Sequence, residues 1–218
     1  MSYTLAIFDM DGTILDTLDD LAQAINAALK QNALPERTRD EVRQFVGNGL
    51  YNLVRRAVPS GTPESVQKNV FDSFNEFYAR HSADNTKPYE GILDVLKNLK
   101  ESGTKVAVCS NKPDYAVQKL CETYFPGIFD AAVGAKDKDH IKPCPDSVNR
   151  ILSDLGVPKE ECVYIGDSDV DIKTAENAGM DCISVSWGFR SEDFLKQNGA
   201  THIVGSADEL FSLVRAGR

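Results

Sequence analysis

The run Leu5-Ala6-Ile7-Phe8 passes without a polar interruption into Asp9-Met10-Asp11-Gly12-Thr13. Four apolar residues in succession leave no side to turn toward water. A strand of that kind is covered on both faces, as in the parallel sheets of α/β proteins. In an open α/β sheet, ligands lie beyond the carboxyl ends of the strands. The pattern therefore puts Asp9 and Asp11 where chemistry is done. Two carboxylates this close on a turn repel one another unless a cation or a proton stands between them. The first dozen residues thus predict a divalent metal and a reactive carboxylate.

Further strand-like runs stand at 105–109, 131–133, 162–165, 182–185 and 202–204. Helical patterns lie among them at 92–101, 115–124, 147–155, 172–178 and 191–197. Strands alternating with helices predict a Rossmann-like α/β fold, a parallel sheet with helices on both faces. From about Thr17 to about Asn85 the strand pattern is missing and helical stripes replace it: Leu21, Ile25 and Leu29; Val42, Phe45 and Val46; Leu50, Leu53 and Val54; Val66, Val70, Phe74 and Phe77. Thr17 and Asp20 have the spacing of a capping box. The reading is an all-helical cap domain at 17–86, inserted into a catalytic core domain made of 1–16 and 87–218.

The chain of 218 residues is long enough for both. Its net charge of -9 argues against nucleic acid or an anionic membrane as partner. Segment 17–86 carries nine acidic and eight basic residues, so nearly all of the acidic excess belongs to the sheet domain. No apolar stretch approaches the ~18 residues that span a bilayer, and no basic-then-apolar leader opens the chain. The five cysteines are scattered and form no CxxC pair. That predicts reduced thiols and a cytoplasmic location. His81, His140 and His202 lie far apart, which speaks against a histidine metal site or a Ser-His-Asp triad. Monomer and homodimer are both compatible with the pattern.

Three later strand ends carry polar residues. Ser110 follows the run at 105–109, Lys142 is flanked by Pro143 and Pro145, and Gly166-Asp167-Ser168-Asp169-Val170-Asp171 follows the run at 162–165. Singly, these suit a helix cap, a solvated lysine and an acidic turn. A calcium loop of the EF-hand type is excluded, because Ile172 stands where glycine is needed and Ala178 where glutamate is. With Asp9 and Asp11 they supply a nucleophile, an acid/base, a metal site and donors for phosphate oxygens. Phosphoryl transfer through a covalent intermediate needs that set.

In these motifs, across essentially its whole length, the chain resembles the haloacid dehalogenase-like hydrolase superfamily, of the kind with a helical cap after the first strand. The resemblance implies that Asp9 is the nucleophile and Asp11 the acid/base, the latter also offering its backbone carbonyl to the metal. It implies a Mg²⁺ site with Asp9, Asp11, Asp167 and Asp171, and Ser110 and Lys142 on the phosphoryl oxygens. Thr13, Asn111 and Lys112 join the implied substrate-binding set. Dehalogenases of the superfamily lack the second aspartate, and its ion pumps carry threonine there. The β-phosphoglucomutase branch usually has histidine where this chain has Leu21. The segments 45–50 and 53–57 resemble the cap of phosphoglycolate phosphatases, which adds Gly47, Asn48 and Arg55 as substrate contacts. The expectation is a Mg²⁺-dependent phosphomonoesterase for a small phosphorylated metabolite, foremost 2-phosphoglycolate. The alternatives are a broad sugar-phosphate or nucleotide phosphatase and, less so, a phosphomutase. A binding protein without catalysis is disfavoured because Asp9 and Asp11 are both present.

Overall fold

The computed structural model describes residues 2–136 and 140–217. Strand β1 (Leu5–Phe8) is followed by the short β2 (Leu15–Asp16). Four helices come next: α1 (Leu18–Gln31), α2 (Arg39–Phe45), α3 (Gly49–Ala57) and α4 (Glu64–His81). The chain returns through β3 (Lys87–Pro88) and then alternates. It forms α5 (Ile92–Glu101), β4 (Lys105–Pro113), α6 (Asp114–Tyr124), β5 (Ala131–Ala135), α7 (Asp146–Leu155), β6 (Cys162–Gly166) and α8 (Asp169–Ala178). The last elements are β7 (Asp181–Val185), α9 (Glu192–Gln197), β8 (Ile203–Val204) and α10 (Ala207–Ala216).

Six strands form one parallel sheet in the order β5-β4-β1-β6-β7-β8. Side chains alternate across it. Ala6 and Phe8 join a cluster with α5, α6 and α10, while Leu5 and Ile7 join Val148 and Ile151 of α7 and Ala175 and Ala178 of α8. This two-sided burial is why the opening run tolerates no polar residue. The sheet with helices on both faces is the Rossmann-like α/β fold expected. The chain builds one side of β1 and later the other, so the winding reverses beside β1, where such sheets hold ligands.

The four helices from α1 to α4 share a separate apolar cluster, entered from the sheet region, among the described buried residues, only by Phe189. Val70, Phe74 and Tyr78 of α4 are its buried stripe, with Leu21, Ile25 and Leu29 of α1 in the same cluster. The sequence stripe continued to Phe77. Strict four-residue spacing takes it instead to Tyr78, and Phe77 is only partly buried. Strands β2 and β3 pair antiparallel, Leu15 opposite Pro88 and Asp16 opposite Lys87.

The capping box expected of Thr17 and Asp20 does not form. The Thr17 hydroxyl donates to Asp11 Oδ1 at 2.6 Å. Asp20 is buried and accepts from the N–H groups of Asn85 and Thr86, from Asn85 Nδ2 and from the Thr86 hydroxyl, all between 2.7 and 3.1 Å. It ties the start of α1 to the segment before β3. Capping boxes occur instead at Thr38/Glu41 and Ser168/Asp171. Two boundaries also move: β4 runs on to Pro113, and α8 begins at Asp169. Ser110 therefore lies within a strand, and Asp171 lies in the first turn of a helix. Among the described residues, no helix is long and apolar enough to cross a membrane.

Candidate active site

The carboxyl ends of β1, β4 and β6 converge with the loop before α7 on one cavity. It is lined by Asp9, Asp11, Ser110, Asn111, Lys112, Lys142, Asp167 and Ser168 below and by Leu21, Val46, Gly47, Gly49, Leu50, Leu53, Phe189 and Arg190 above. Its free volume is about 30 Å³, room for roughly two waters. The floor is ionic and the ceiling is mainly apolar.

Asp9 follows β1 and is fixed by its N–H, which donates to Ile165 O at 2.8 Å. Lys142 Nζ stands 2.8 Å from Asp9 Oδ1 and 2.7 Å from Asp171 Oδ1, with all three side chains almost wholly buried. Burial pushes the Asp9 carboxyl up to about 7; Lys142 opposes this, and Asp171 and Asp11 add to it. Burial, with Asp171 and Asp9, likewise raises Asp167 well above the carboxylate range. Burial works against the Lys142 charge, but Asp171 and Asp9 outweigh it and hold its pKa above the ordinary lysine value. Lys142 is thus no solvated lysine. Asn111 holds it in place: the Lys142 N–H donates to Asn111 Oδ1 at 2.7 Å, and Asn111 Nδ2 donates to Lys142 O at 3.0 Å. The same Nδ2 reaches Gly47 O of the helical segment at 3.2 Å.

Asp9, Asp167 and Asp171 bring one carboxylate oxygen each within 4.8 Å of one another. One ammonium cannot neutralise three buried carboxylates; the raised Asp9 and Asp167 pKa values come first from burial, with the neighbouring carboxylates adding to it. Asp167 Oδ2 accepts from Phe189 N, and Asp171 Oδ2 accepts from the Ser168 hydroxyl, both at 2.6 Å. The backbone closes round them. A Cβ at Gly12 would stand 2.3 Å from Asp167 Oδ2, at Gly188 2.3 Å from Asp167 Cβ, and at Gly166 2.3 Å from Asp171 Cβ. An all-oxygen set held in a tight cradle suits a hard divalent cation such as Mg²⁺.

Asp11 turns away from that group. Its Oδ1 accepts from Thr17 Oγ1 at 2.6 Å and pairs with Lys112 Nζ at 2.9 Å. Ser110 Oγ accepts from Lys112 N at 3.3 Å and caps no helix.

The haloacid dehalogenase-like hydrolase family model matches residues 6–185. The chain belongs to this family. It is similar to the phosphoglycolate phosphatase of Caulobacter vibrioides, with 34% identity over 91% of this chain and 85% of that protein. The phosphoglycolate phosphatase of Pseudomonas syringae pv. tomato is 33% identical over 85% of this chain and 70% of its own length. A solved chain from Lactobacillus delbrueckii subsp. bulgaricus, provisionally named a phosphoglycolate phosphatase, superposes with a TM-score of 0.94 at 42% identity, covering 99% of each chain. One from Haemophilus somnus superposes at 0.90 with 27% identity, covering 97% of this chain and 98% of its own. This haloacid dehalogenase-like chain is accordingly an enzyme of the phosphatase kind.

Several substrate contacts expected from the sequence stand elsewhere. Arg55 is exposed on α3 and lines no part of the cavity; the buried face of that helix is Leu50, Leu53, Val54 and Ala57. Thr13 is wholly buried behind the turn, where its carbonyl accepts from Trp187 Nε1 and its hydroxyl has no partner. Asn48 lies beside the cavity without lining it, and its carbonyl accepts from Asn52 Nδ2. Gly47, Asn111 and Lys112 do line it. The sequence reading missed Thr17, Tyr78, Gly188 and the function of Arg190. Arg190 spends its guanidinium on the carbonyls of Arg43, Gln44 and Val46, at 2.9, 3.4 and 2.7 Å. It binds the sheet domain to the end of α2 and leaves little for a ligand. Only Tyr78 had a signal in sequence, the four-residue spacing from Val70 and Phe74.

Proposed function

We propose that this chain is a Mg²⁺-dependent phosphomonoesterase for small phosphorylated metabolites, working through an aspartyl-phosphate on Asp9, with 2-phosphoglycolate the foremost substrate. The observation that carries the reading is the meeting of Asp9, Asp11, Ser110 and Lys142 on one floor beneath a helical ceiling. A divided chain, core at 1–16 and 87–218 and cap at 17–86, goes with it, the cap closing over the bound ester to exclude water.

In the first step an Asp9 oxygen bonds to phosphorus and the bond from phosphorus to the ester oxygen breaks. Asp11 gives its proton to that oxygen as the alcohol departs. In the second step a water, losing its proton to Asp11, attacks phosphorus; the bond to Asp9 breaks and inorganic phosphate leaves. Ser110, Lys142 and the N–H groups that follow β1 and β4 would hold the phosphoryl oxygens. Asp9, Asp167 and Asp171, with the Asp11 carbonyl, would hold Mg²⁺, which supplies charge neutralisation between the carboxylates and the phosphate.

Substrate choice rests on the curated relatives and on the ceiling. The first turn of α3 opens at Gly49 without a side-chain cap from Asn48, and its N–H groups could meet a substrate carboxylate. A second reading, a phosphatase broad for small esters, is favoured by the cations on the cavity wall. Lys112, Lys142 and Arg190 are each committed to protein partners. Five scattered cysteines without a CxxC pair support the cytoplasmic reading.

The test is kcat/KM with Mg²⁺ over 2-phosphoglycolate, hexose phosphates, nucleoside monophosphates and β-glucose 1-phosphate, together with Asp9→Asn. A preference of roughly 100-fold, about 2.7 kcal/mol, supports phosphoglycolate; a flat profile supports the broad enzyme. Normal turnover by Asp9→Asn would remove the nucleophile assignment.

A further inference from the structure

Lys112 is the one fully buried lysine side chain described here whose charge serves neither the metal group nor Asp9. Its side chain is 0% exposed. It sits in β4, but its ammonium joins two other parts of the molecule. Nζ pairs with Asp11 Oδ1 at 2.9 Å and donates to the hydroxyl of Tyr78, on α4, at 2.6 Å. The same nitrogen lies 4.8 Å from the Tyr78 ring centroid, and that ring stacks on Phe74. Burial works against the charge, but Asp11 and Tyr78 outweigh it and keep its pKa above the ordinary lysine value. An ammonium taken this far out of water persists only with good partners. One of those partners belongs to the helical segment.

We propose that Lys112 is a positioning residue that couples the seating of α4 to Asp11: Tyr78 fixes the ammonium, and the ammonium fixes Asp11 for proton transfer. The proposal rests on the acid/base role given to Asp11 above. Both bonds to that carboxylate fall on Oδ1, from Lys112 and from Thr17 just ahead of α1. Oδ2 is left to carry the proton. As the proton passes to the leaving alcohol, negative charge returns to Asp11 beside the ammonium. What Lys112 supplies is orientation: with Thr17 it fixes Oδ1, so the other oxygen of Asp11 is held in one place for the transfer. When α4 lifts, Tyr78 leaves, water reaches the ammonium, and Asp11 loses its rigid neighbour. Acid catalysis is then confined to the closed molecule.

The prediction concerns leaving groups. An alkyl alkoxide needs the proton; 4-nitrophenolate leaves without it. Because kcat/KM reports only the steps through release of the alcohol, the later hydrolysis does not enter. Lys112→Met should lower kcat/KM for 2-phosphoglycolate and ethyl phosphate roughly 10- to 100-fold, a share of what general acid catalysis contributes, and lower it far less for 4-nitrophenyl phosphate. Tyr78→Phe keeps the ring and removes only the hydroxyl; it should give the same selective loss at smaller amplitude, about 3- to 10-fold, with its thermal midpoint nearly unchanged. Parallel losses on both ester classes, or no loss, in a folded Tyr78→Phe protein would overturn the coupling. Asp11→Asn separates the two readings. If it shows the selective loss and the other variants do not, only the coupling fails. If it does not, the acid/base reading fails and the coupling with it.

Discussion

Gly188→Ala tests the geometry of the carboxylate cradle. Gly188 has no left-handed φ, so alanine meets no backbone penalty there. What it meets is crowding: the new Cβ would lie 2.4 Å from Gly12 O, 2.3 Å from Asp167 Cβ and 2.5 Å from Asp167 Oδ2. Ordinary contact begins at 3.4 Å, so about 1 Å must be found. Gly12 cannot easily yield it. Gly12 sits at φ 85°, and its N–H donates to Leu15 O in a tight turn. The shift therefore falls on Asp167 and on the Phe189 N–H that holds it. A misplacement of ~1 Å in a catalytic constellation costs roughly 100-fold in rate, or about 2.7 kcal/mol. Crowding alone costs about 1–3 kcal/mol of stability, which for a chain of this length lowers Tm by roughly 2–12 °C. The assay is kcat/KM, the Mg²⁺ concentration for half-activity, and a thermal melt. Activity within three-fold of the parent at an unchanged Mg²⁺ requirement would refute the argument that the cradle sets the position of Asp167. Gly156→Ala is the contrast. There φ is 63° and no atom lies within 4 Å of the new Cβ, so about 1 kcal/mol of stability is lost and turnover is kept.

Asp20→Ala leaves the buried Thr86 N–H without its acceptor and removes the bonds from Asn85, while the Thr86 hydroxyl keeps Ser82 O; the expected loss is about 1–3 kcal/mol. Urea unfolding would measure it, and an unchanged midpoint would mean that water replaces the carboxylate. Arg55→Ala should leave KM for 2-phosphoglycolate within about two-fold, because the side chain is exposed and off the cavity; a tenfold rise would return it to the substrate. EDTA should abolish turnover, and Mg²⁺ at about 100 times its Kd should stabilise the fold by roughly 2.7 kcal/mol. A melting curve insensitive to Mg²⁺ would count against a site at Asp9, Asp167 and Asp171.

Much of the sheet was legible because burial on both faces leaves a plain mark in sequence. The runs at 5–8 and 162–165 read as central strands, pair with one another, and both end at the floor of the cavity. Ser110 and Lys142 were found through their order along the chain, since neither residue is distinctive alone. The Thr17/Asp20 capping box was read from local spacing, and Arg55 and Thr13 from the likeness of their segments to the family; tertiary contacts decide where each side chain stands. Thr17 is taken by Asp11, Asp20 by Asn85 and Thr86, and Arg55 is turned out by the stripe of Leu50, Leu53 and Val54. Arg190 shows the same limit. Its partners are backbone carbonyls some 145 positions away, and carbonyls leave no trace in a sequence.

The pairing of Leu15 with Pro88 and of Asp16 with Lys87 sets the two ends of the helical insert side by side, about 5 Å apart as in any antiparallel ladder. A short turn of two to four residues could join them without disturbing the sheet. The proposed cap would then be a replaceable cassette. Descent could exchange one such block for another, or an engineer could, while the strand ends beneath kept their carboxylates. Selectivity in this architecture can drift without the chemistry having to be reinvented.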